Sequence, residues 1–437
     1  MMKKKIDCIY WFISFLLSML FIPILWAGQD PALYENKTWY ENIDNRFGGH
    51  LRLEGGVTGY DSGSYFEPVG TDTGMDGLAN VRLTDKLILS EKIYFEAHYE
   101  AFLRWGDTYE KRLELQNHFD PSNIDERRLL DLTKTVKETE DYILWNRLDR
   151  LFFSIKPSWG DIIIGRQAVT WGNGLVFNPM DLFNPFAPSD TVRDYKMGDD
   201  LVSVRFNTEL LGECNLLYVP RRDIISGEVD FKKSSVAGKF HFFAGDIEMD
   251  VMGALHYNET VLGLGGTGYF GNAAWRTDLI WSTLKETKDE SGYFEFVVNI
   301  DYSWVWLKKN MYGLIEYYHN GLGKNNYTDA IQDPQVVERI DRGELFALGK
   351  NYLSGQVQVE LHPLFNVYLS VINNVKDPSG IIQPWAIWSV TQNSNLHFGA
   401  NIFYGKQGSE YGGFLIPNTN YYTNAASNAY VLFTYYF

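Results

Sequence analysis

Ile93-Tyr94-Phe95-Glu96-Ala97-His98-Tyr99-Glu100-Ala101-Phe102-Leu103-Arg104 is the stretch on which the fold turns. Ile93, Phe95, Ala97, Tyr99, Ala101 and Leu103 alternate there with Tyr94, Glu96, His98, Glu100, Phe102 and Arg104. A helix would scatter the charged residues around its circumference. An extended chain puts them all on one side, because successive side chains point to opposite faces. One face is then greasy and the other charged, as in a strand running between lipid and a watery lumen.

The same two-residue period recurs outward from this stretch. Leu51, Leu53 and Val57 alternate with Arg52, Glu54 and Thr58, and Val202, Val204 and Phe206 with Ser203, Arg205 and Asn207. Ile247, Met249, Val251 and Leu255 alternate with Glu248, Asp250 and His256. Phe294, Phe296, Val298, Ile300 and Tyr302 alternate with Glu295, Asn299 and Asp301. Val357, Val359 and Leu361 alternate with Gln356, Gln358, Glu360 and His362. Two segments are less regular: 161–170 sets Ile162 and Ile164 on one face with Arg166, and 382–390 carries Pro384, which cannot donate to a ladder.

The chain has 437 residues, a net charge of −16 and 16% aromatic residues, with Tyr and Trp suited to membrane–water boundaries. Clustered Lys and Arg for nucleic acid are lacking. Lys3, Lys4 and Lys5 precede an apolar run from Cys8 to about Leu25, and Ala27 offers a cleavage position, so 1–27 reads as an export signal. Without it Cys214 stands alone, which excludes an internal disulfide and a thiolate metal cluster. No second apolar run of about 18 residues follows, so the remaining way across a bilayer is a closed barrel with every amide paired internally.

The expected architecture is therefore an all-β, antiparallel up-and-down transmembrane barrel over 48–437, preceded by a periplasmic segment 28–47. Strand starts read near 48, 76, 91, 142, 160, 200, 211, 235, 246, 260, 272, 292, 310, 354, 364, 381, 395 and 428. That makes about eighteen strands, with sixteen to twenty compatible. Counting back from the C-terminus, the external positions receive the longer connections and the periplasmic ones the short turns. Two places strain this order: the tight external Asn258–Glu259 and the longer internal Trp304–Asn310. Ala429, Val431, Phe433, Tyr435 and Phe437 alternate to the last residue. That ending resembles the terminal strand read by barrel-assembly machinery.

A barrel of this size has room for a channel. Its expected lining is Arg52, Glu54, Glu96, His98, Glu100, Arg104, Arg166, Arg205, Glu248, Asp250, Glu295, Asp301 and Glu360, mixed in charge with a modest cation preference. The loop from Trp171 to Asp200, with Asn178-Pro179 and Asn184-Pro185 among aromatics, is unusually apolar for an exposed segment. It is expected to fold into the mouth and bring Asp181, Asp190, Arg193 and Lys196 to the path. The loop from Gly106 to Asp141 suggests a short amphipathic helix after Pro121, through Ile124, Leu129, Leu130 and Leu132. The inward histidines (His98, His241, His256, His362 and His397) come from distant strands and read as polar filling rather than a metal site. Leu262-Gly263-Leu264-Gly265-Gly266 reads as a bend in a curved sheet. No catalytic motif, cofactor or metal is implied.

Gly165-Arg166-Gln167-Ala168-Val169-Thr170-Trp171-Gly172, followed by Asn184-Pro185, resembles porin-like families of Gram-negative outer membranes, most of all the alginate-export type. The resemblance implies eighteen strands and, for the exporters, an Arg-lined lumen for an acidic polysaccharide; the inward charges of this sequence are mixed and lean acidic. The expected function is passive diffusion of small hydrophilic solutes, with Arg166, Arg193 and Arg205 on the pathway. An export sleeve for a polymer or electron carrier, and a scaffold for an enzyme or surface contact, are the alternatives. Expected partners are outer-membrane lipid and lipopolysaccharide, the assembly machinery at Phe437, and either a second copy or a periplasmic protein.

Overall fold

Strand β1 (Asp44–Gly59) pairs on one side with β2 (Thr73–Ser90) and on the other with β19 (Asn428–Tyr436), so the sheet closes on itself. The computed structural model describes residues 44–67, 72–112, 121–208, 212–284, 292–423 and 426–437. The expected export signal and residues 28–43 lie outside the described residues. The barrel begins at Asp44, four residues inside the segment expected to precede it.

Between those ends run β3 (Ile93–Gly106), a short β4 (Thr133–Glu138), β5 (Tyr142–Ile155), β6 (Gly160–Gln167), β7 (Asp199–Thr208) and β8 (Gly212–Val219). Then come β9 (Ser235–Ala244), β10 (Ile247–His256), β11 (Glu259–Phe270), β12 (Ala273–Thr283), β13 (Gly292–Trp306) and β14 (Lys309–Asn320). The last are β15 (Asn351–His362), β16 (Phe365–Asn374), β17 (Ser379–Thr391) and β18 (Ser394–Tyr404). Every neighbouring pair is antiparallel, and β3 bonds directly to β5, which leaves β4 outside the circuit. The wall is an eighteen-stranded closed antiparallel barrel.

The two places that strained the loop order are both tight two-residue turns. Tyr257 and Asn258 (φ 49° and 64°) join β10 to β11, and Leu307 and Lys308 (φ 50° and 61°) join β13 to β14. Positive φ at both central residues gives the turn whose twist matches that of paired strands. β13 simply runs on to Trp306, so the internal connection is short and no hairpin is missing.

Outward positions are apolar and bare: Leu262 is 51% exposed, Ile315 59% and Val431 50%. A soluble protein would not leave such a belt in water. Pro384 points outward in β17, opposite Leu369, and the named partners on β18 skip it and Gln383.

The loop between β3 and β5 departs from expectation. Pro121–Asp125 forms a single 3-10 turn in place of the helix expected through Leu132, and a strand, β4, follows at Thr133–Glu138. The reason lies next door. β6 bonds to β5 only from Leu151 to Ile155, so the upper edge of β5 is free to take β4, from Thr133 opposite Arg147 to Glu138 opposite Ile143. β4 thereby satisfies backbone groups of β5 that β6 leaves unpaired.

Candidate functional site

β6 stops after eight residues because its chain leaves the wall. Alternation breaks at Gly165 (φ 126°), where a Cβ would lie 2.2 Å from the Leu151 carbonyl oxygen. Only glycine fits there. Ile164 still faces outward, whereas Arg166 turns in and is 1% exposed. Its Nε donates to Asp200 at 2.8 Å, its Nη1 pairs with Asp125 at 2.9 Å, and its Nη2 donates to the Leu130 carbonyl at 2.7 Å. One guanidinium thus ties β6, β7 and the external loop together. The chain then runs inside the barrel until β7 begins at Asp199.

The outbound leg of this segment is held by burial. Trp171, Met180 and Phe183 pack on inward side chains of the wall, among them Leu201, Leu217, Met252, Val261 and Ile280. Gly263 and Gly265, read from sequence as a bend, leave room for neighbouring side chains. A Cβ on Gly263 would press Met252, Ile280 and Met180 at 3.0, 3.1 and 3.2 Å, and one on Gly265 would meet Asp278 and Asn173 at 2.6 and 2.7 Å. Asn173 donates its backbone and side-chain N–H groups to Asp278 at 2.6 and 2.7 Å. The backbone N–H groups of Leu175, Val176 and Phe177 then converge on the Glu316 carboxylate at 2.7, 3.1 and 2.7 Å. The Phe177 ring stacks on Tyr318 with centroids 4.4 Å apart.

The return leg is held mainly by charge and polar contacts. Gln383 of β17 donates to the Ser189 carbonyl at 2.8 Å, and the Thr191 hydroxyl meets that of Tyr430. Arg52 of β1 pairs with Asp194, while Tyr195 donates to Glu100 and lies 3.6 Å beneath the Arg82 guanidinium. Arg150 donates to the Lys196 carbonyl at 2.5 Å. Lys196 closes the loop on itself by donating to Asp181 and to the Val169 carbonyl. Burial pushes the Asp181 carboxyl up to about 6 against the pull of Lys196, and burial likewise lowers Lys196.

The wall behind the return leg is a lattice of ion pairs. Arg82 meets Glu100 and Asp149, both at 3.0 Å; Arg147 meets Glu100 at 2.5 Å; and Arg150 meets Asp149 at 2.6 Å. Asp149 and Arg150 both face inward because a bulge opposite His98 and Tyr99 breaks the period of two. Asp149 and Arg147 were missed from sequence for that reason. The adjacent charges Asp149-Arg150 were the available signal. The inward apolar patch was missed too, although Val261 beside Leu262 already shows a strand greasy on both faces.

Of the expected lining residues, Arg52, Glu100, Arg166 and Asp250 are buried in such contacts, Asp250 with Lys239 and His241 at 3.2 and 3.0 Å. Glu96 contacts His98 at 3.1 Å, and Asp301 contacts Arg276 at 2.5 Å. Glu295 accepts from the Tyr318 hydroxyl at 2.5 Å, and Glu360 from Asn310 at 3.3 Å. Arg205 lies half-exposed beside Glu213, Glu248 is exposed, and Glu54 and Arg104 are partly buried. Within the inserted segment Asp181 and Lys196 are enclosed, whereas Arg193 stays exposed beside Asp190 at 3.3 Å. His256 bonds Ser235 and Glu344, both at 2.8 Å.

A second segment, 321–350, reaches inward as well. Its helix Pro334–Asp341 is capped by Asp333, and Arg339 on it donates to Glu259 at 2.7 Å and to the Tyr293 hydroxyl at 3.0 Å.

No family model and no curated protein matches the sequence. Among solved structures, Acinetobacter baumannii OccAB2 superposes with a TM-score of 0.52 at 8% identity, over 90% of this chain and 98% of that one. OccAB3 of the same organism gives 0.50 at 9%, over 90% and 99%. A mutant of the Rhodopseudomonas blastica porin gives 0.44 at 10%, over 90% and 100%. The likeness to the first two is one of fold: this chain closes into a barrel of the same kind.

Proposed function

We propose that the protein is an outer-membrane diffusion channel for small hydrophilic solutes, narrowed by the segment 168–198. The observation that carries this reading is the placement of that segment. It leaves the wall at Gln167, is anchored in turn on β12, β14, β17, β19, β1 and β3, and rejoins at Asp199. A belt fixed at so many points sets a stable aperture. The crowded interior also favours small solutes over a polymer or a protein passenger. The bare apolar exterior suits outer-membrane lipid and lipopolysaccharide.

On this reading the lining charges that keep solvent contact steer ions. Glu248, Glu360 and Glu213 stand against Arg205 and Arg193, while most other inward charges neutralise one another in pairs. A weak preference for cations follows. Planar-bilayer recording of the purified protein tests both parts. Stepwise conductance with a small cationic reversal potential is expected. A silent bilayer would refute the channel, and a clear anionic reversal potential would refute the charge assignment. Export through the signal 1–27 and assembly through the strand ending at Phe437 predict recovery in outer-membrane fractions; Phe437→Ala should lower the assembled yield.

A further inference from the structure

The two inserted segments enclose a chamber of about 60 Å³ against the inner faces of β10 to β14. That is room for roughly four water-sized centres, the bulk of a compact head group. Four carboxylates line it: Asp181, Glu259, Glu295 and Glu344. Three have a basic partner at hand. Asp181 pairs with Lys196, Glu259 with Arg339 at 2.7 Å, and Glu344 with His256 at 2.8 Å. Glu295 differs: among the described residues no basic side chain lies within ion-pair distance of it, and its hydrogen-bond partners are the neutral hydroxyls of Tyr318, at 2.5 Å, and Tyr293. Around it the chamber is walled by the rings of Phe177, Phe186, Tyr293, Tyr318 and Phe346.

We infer that this chamber is a binding site for a small organic cation, an alkylammonium or guanidinium group, seated between Glu295 and the surrounding rings. An ionised carboxylate in an enclosed apolar setting is costly until a counter-charge arrives, so a monovalent cation gains there what it loses in hydration. Aromatic faces add attraction for the same charge and none for a neutral isostere. An anion is disfavoured on two counts. It would add to four carboxylates, and the one guanidinium on the lining, that of Arg339, is already spent on Glu259, the Tyr293 hydroxyl and Gln335. This inference names a solute class for the proposed channel and rests on that reading for passage, though binding itself does not require conduction.

The full-length protein, folded in a neutral maltoside detergent, is the material for the test. Saturation-transfer NMR is recorded with ethylammonium and guanidinium, and with acetamide and acetate as neutral and anionic controls. Both cations should show at least tenfold stronger transfer than either control. Glu295→Gln should weaken cation binding at least tenfold, and Phe346→Leu or Phe186→Leu about threefold, with heat-modifiable gel mobility retained as proof of folding. Should Glu295→Gln fail to fold, the two ring variants decide, since both rings come from the inserted segments. Equal signals from ethylammonium and acetamide, or unchanged binding in the folded variants, overturn the inference. A silent barrel that still binds the cations refutes the channel alone; a conducting barrel that ignores them refutes the chamber alone.

Discussion

The two legs of the inserted segment are held by different physics. From Trp171 to Phe183 the outbound leg rests on a buried apolar patch and on backbone donors gathered by Glu316 and Asp278. From Ser189 to Lys196 the return leg rests chiefly on Arg52, Glu100, Arg82 and Arg150, charged groups on the opposite part of the wall. Burial scales with area and is not screened away by salt. The Arg82, Glu100 and Arg150 contacts of the return leg are buried and little screened, whereas the Arg52–Asp194 pair, open to solvent at Asp194, is weakened by ions. The outbound leg is therefore fixed, and the return leg around Asp194 is the part that solution conditions can loosen.

That contrast can be broken at graded cost. Phe183→Ala should destabilise the barrel most, by about 3–5 kcal/mol through the cavity it leaves, read as a lower urea midpoint of the heat-modifiable form. Next comes Glu316→Leu, which strands three amide donors. As the outbound leg lifts and water reaches the freed donors, a total loss on the order of 1–3 kcal/mol is expected, with noisier and larger conductance steps in bilayers. If the steps are unchanged, the segment does not set the aperture.

The third test is one of pH. The folded-state pKa of Asp181 lies at about 6, above its unfolded value of about 4. Its contribution is thus fully present below about pH 4 and is given up as pH rises through about 6. Melting temperature should climb as pH falls from 7 to 5, with Asp181 supplying the equivalent of about 1–2 kcal/mol, and the climb should shrink by that amount in Asp181→Asn. A wild-type profile flat across that window would remove Asp181 as its cause. The smallest effect belongs to the rim. Asp194 is 57% exposed, so Asp194→Ala should cost under about 1 kcal/mol. It should nonetheless quicken proteolysis near Arg193, as 1 M salt should in the wild type, while sites near Trp171 stay protected. Equal loosening of both legs would erase the distinction between them.

The motif that carried the family resemblance acquires a mechanical meaning from the same contrast. Gly165 permits the close pass by Leu151, Arg166 pins the exit point, and Trp171 enters the buried patch. Its residue types were visible in the sequence, but their task was not, because Asp125, Asp200 and the patch come from elsewhere in the chain. The glycines at 263 and 265 teach the same lesson. A sequence shows that side chains are missing there; only the folded chain shows that Met180 and Asn173 share the space with Met252, Ile280 and Asp278 of the wall.

By itself, the sequence determined the period-two faces, the start of every wall strand to within three residues or so beyond the first, and the even count that lets the sheet close. Those features are local: each depends on a few neighbouring side chains choosing lipid or water. Only the tertiary structure decided which inward charges are spent on each other, where the bulge at Asp149 re-aims its neighbours, and that two segments meet around Glu295. Such pairings depend on register and on the path of the inserted segments, and no stretch of chain carries the coordinates of its partner across the barrel.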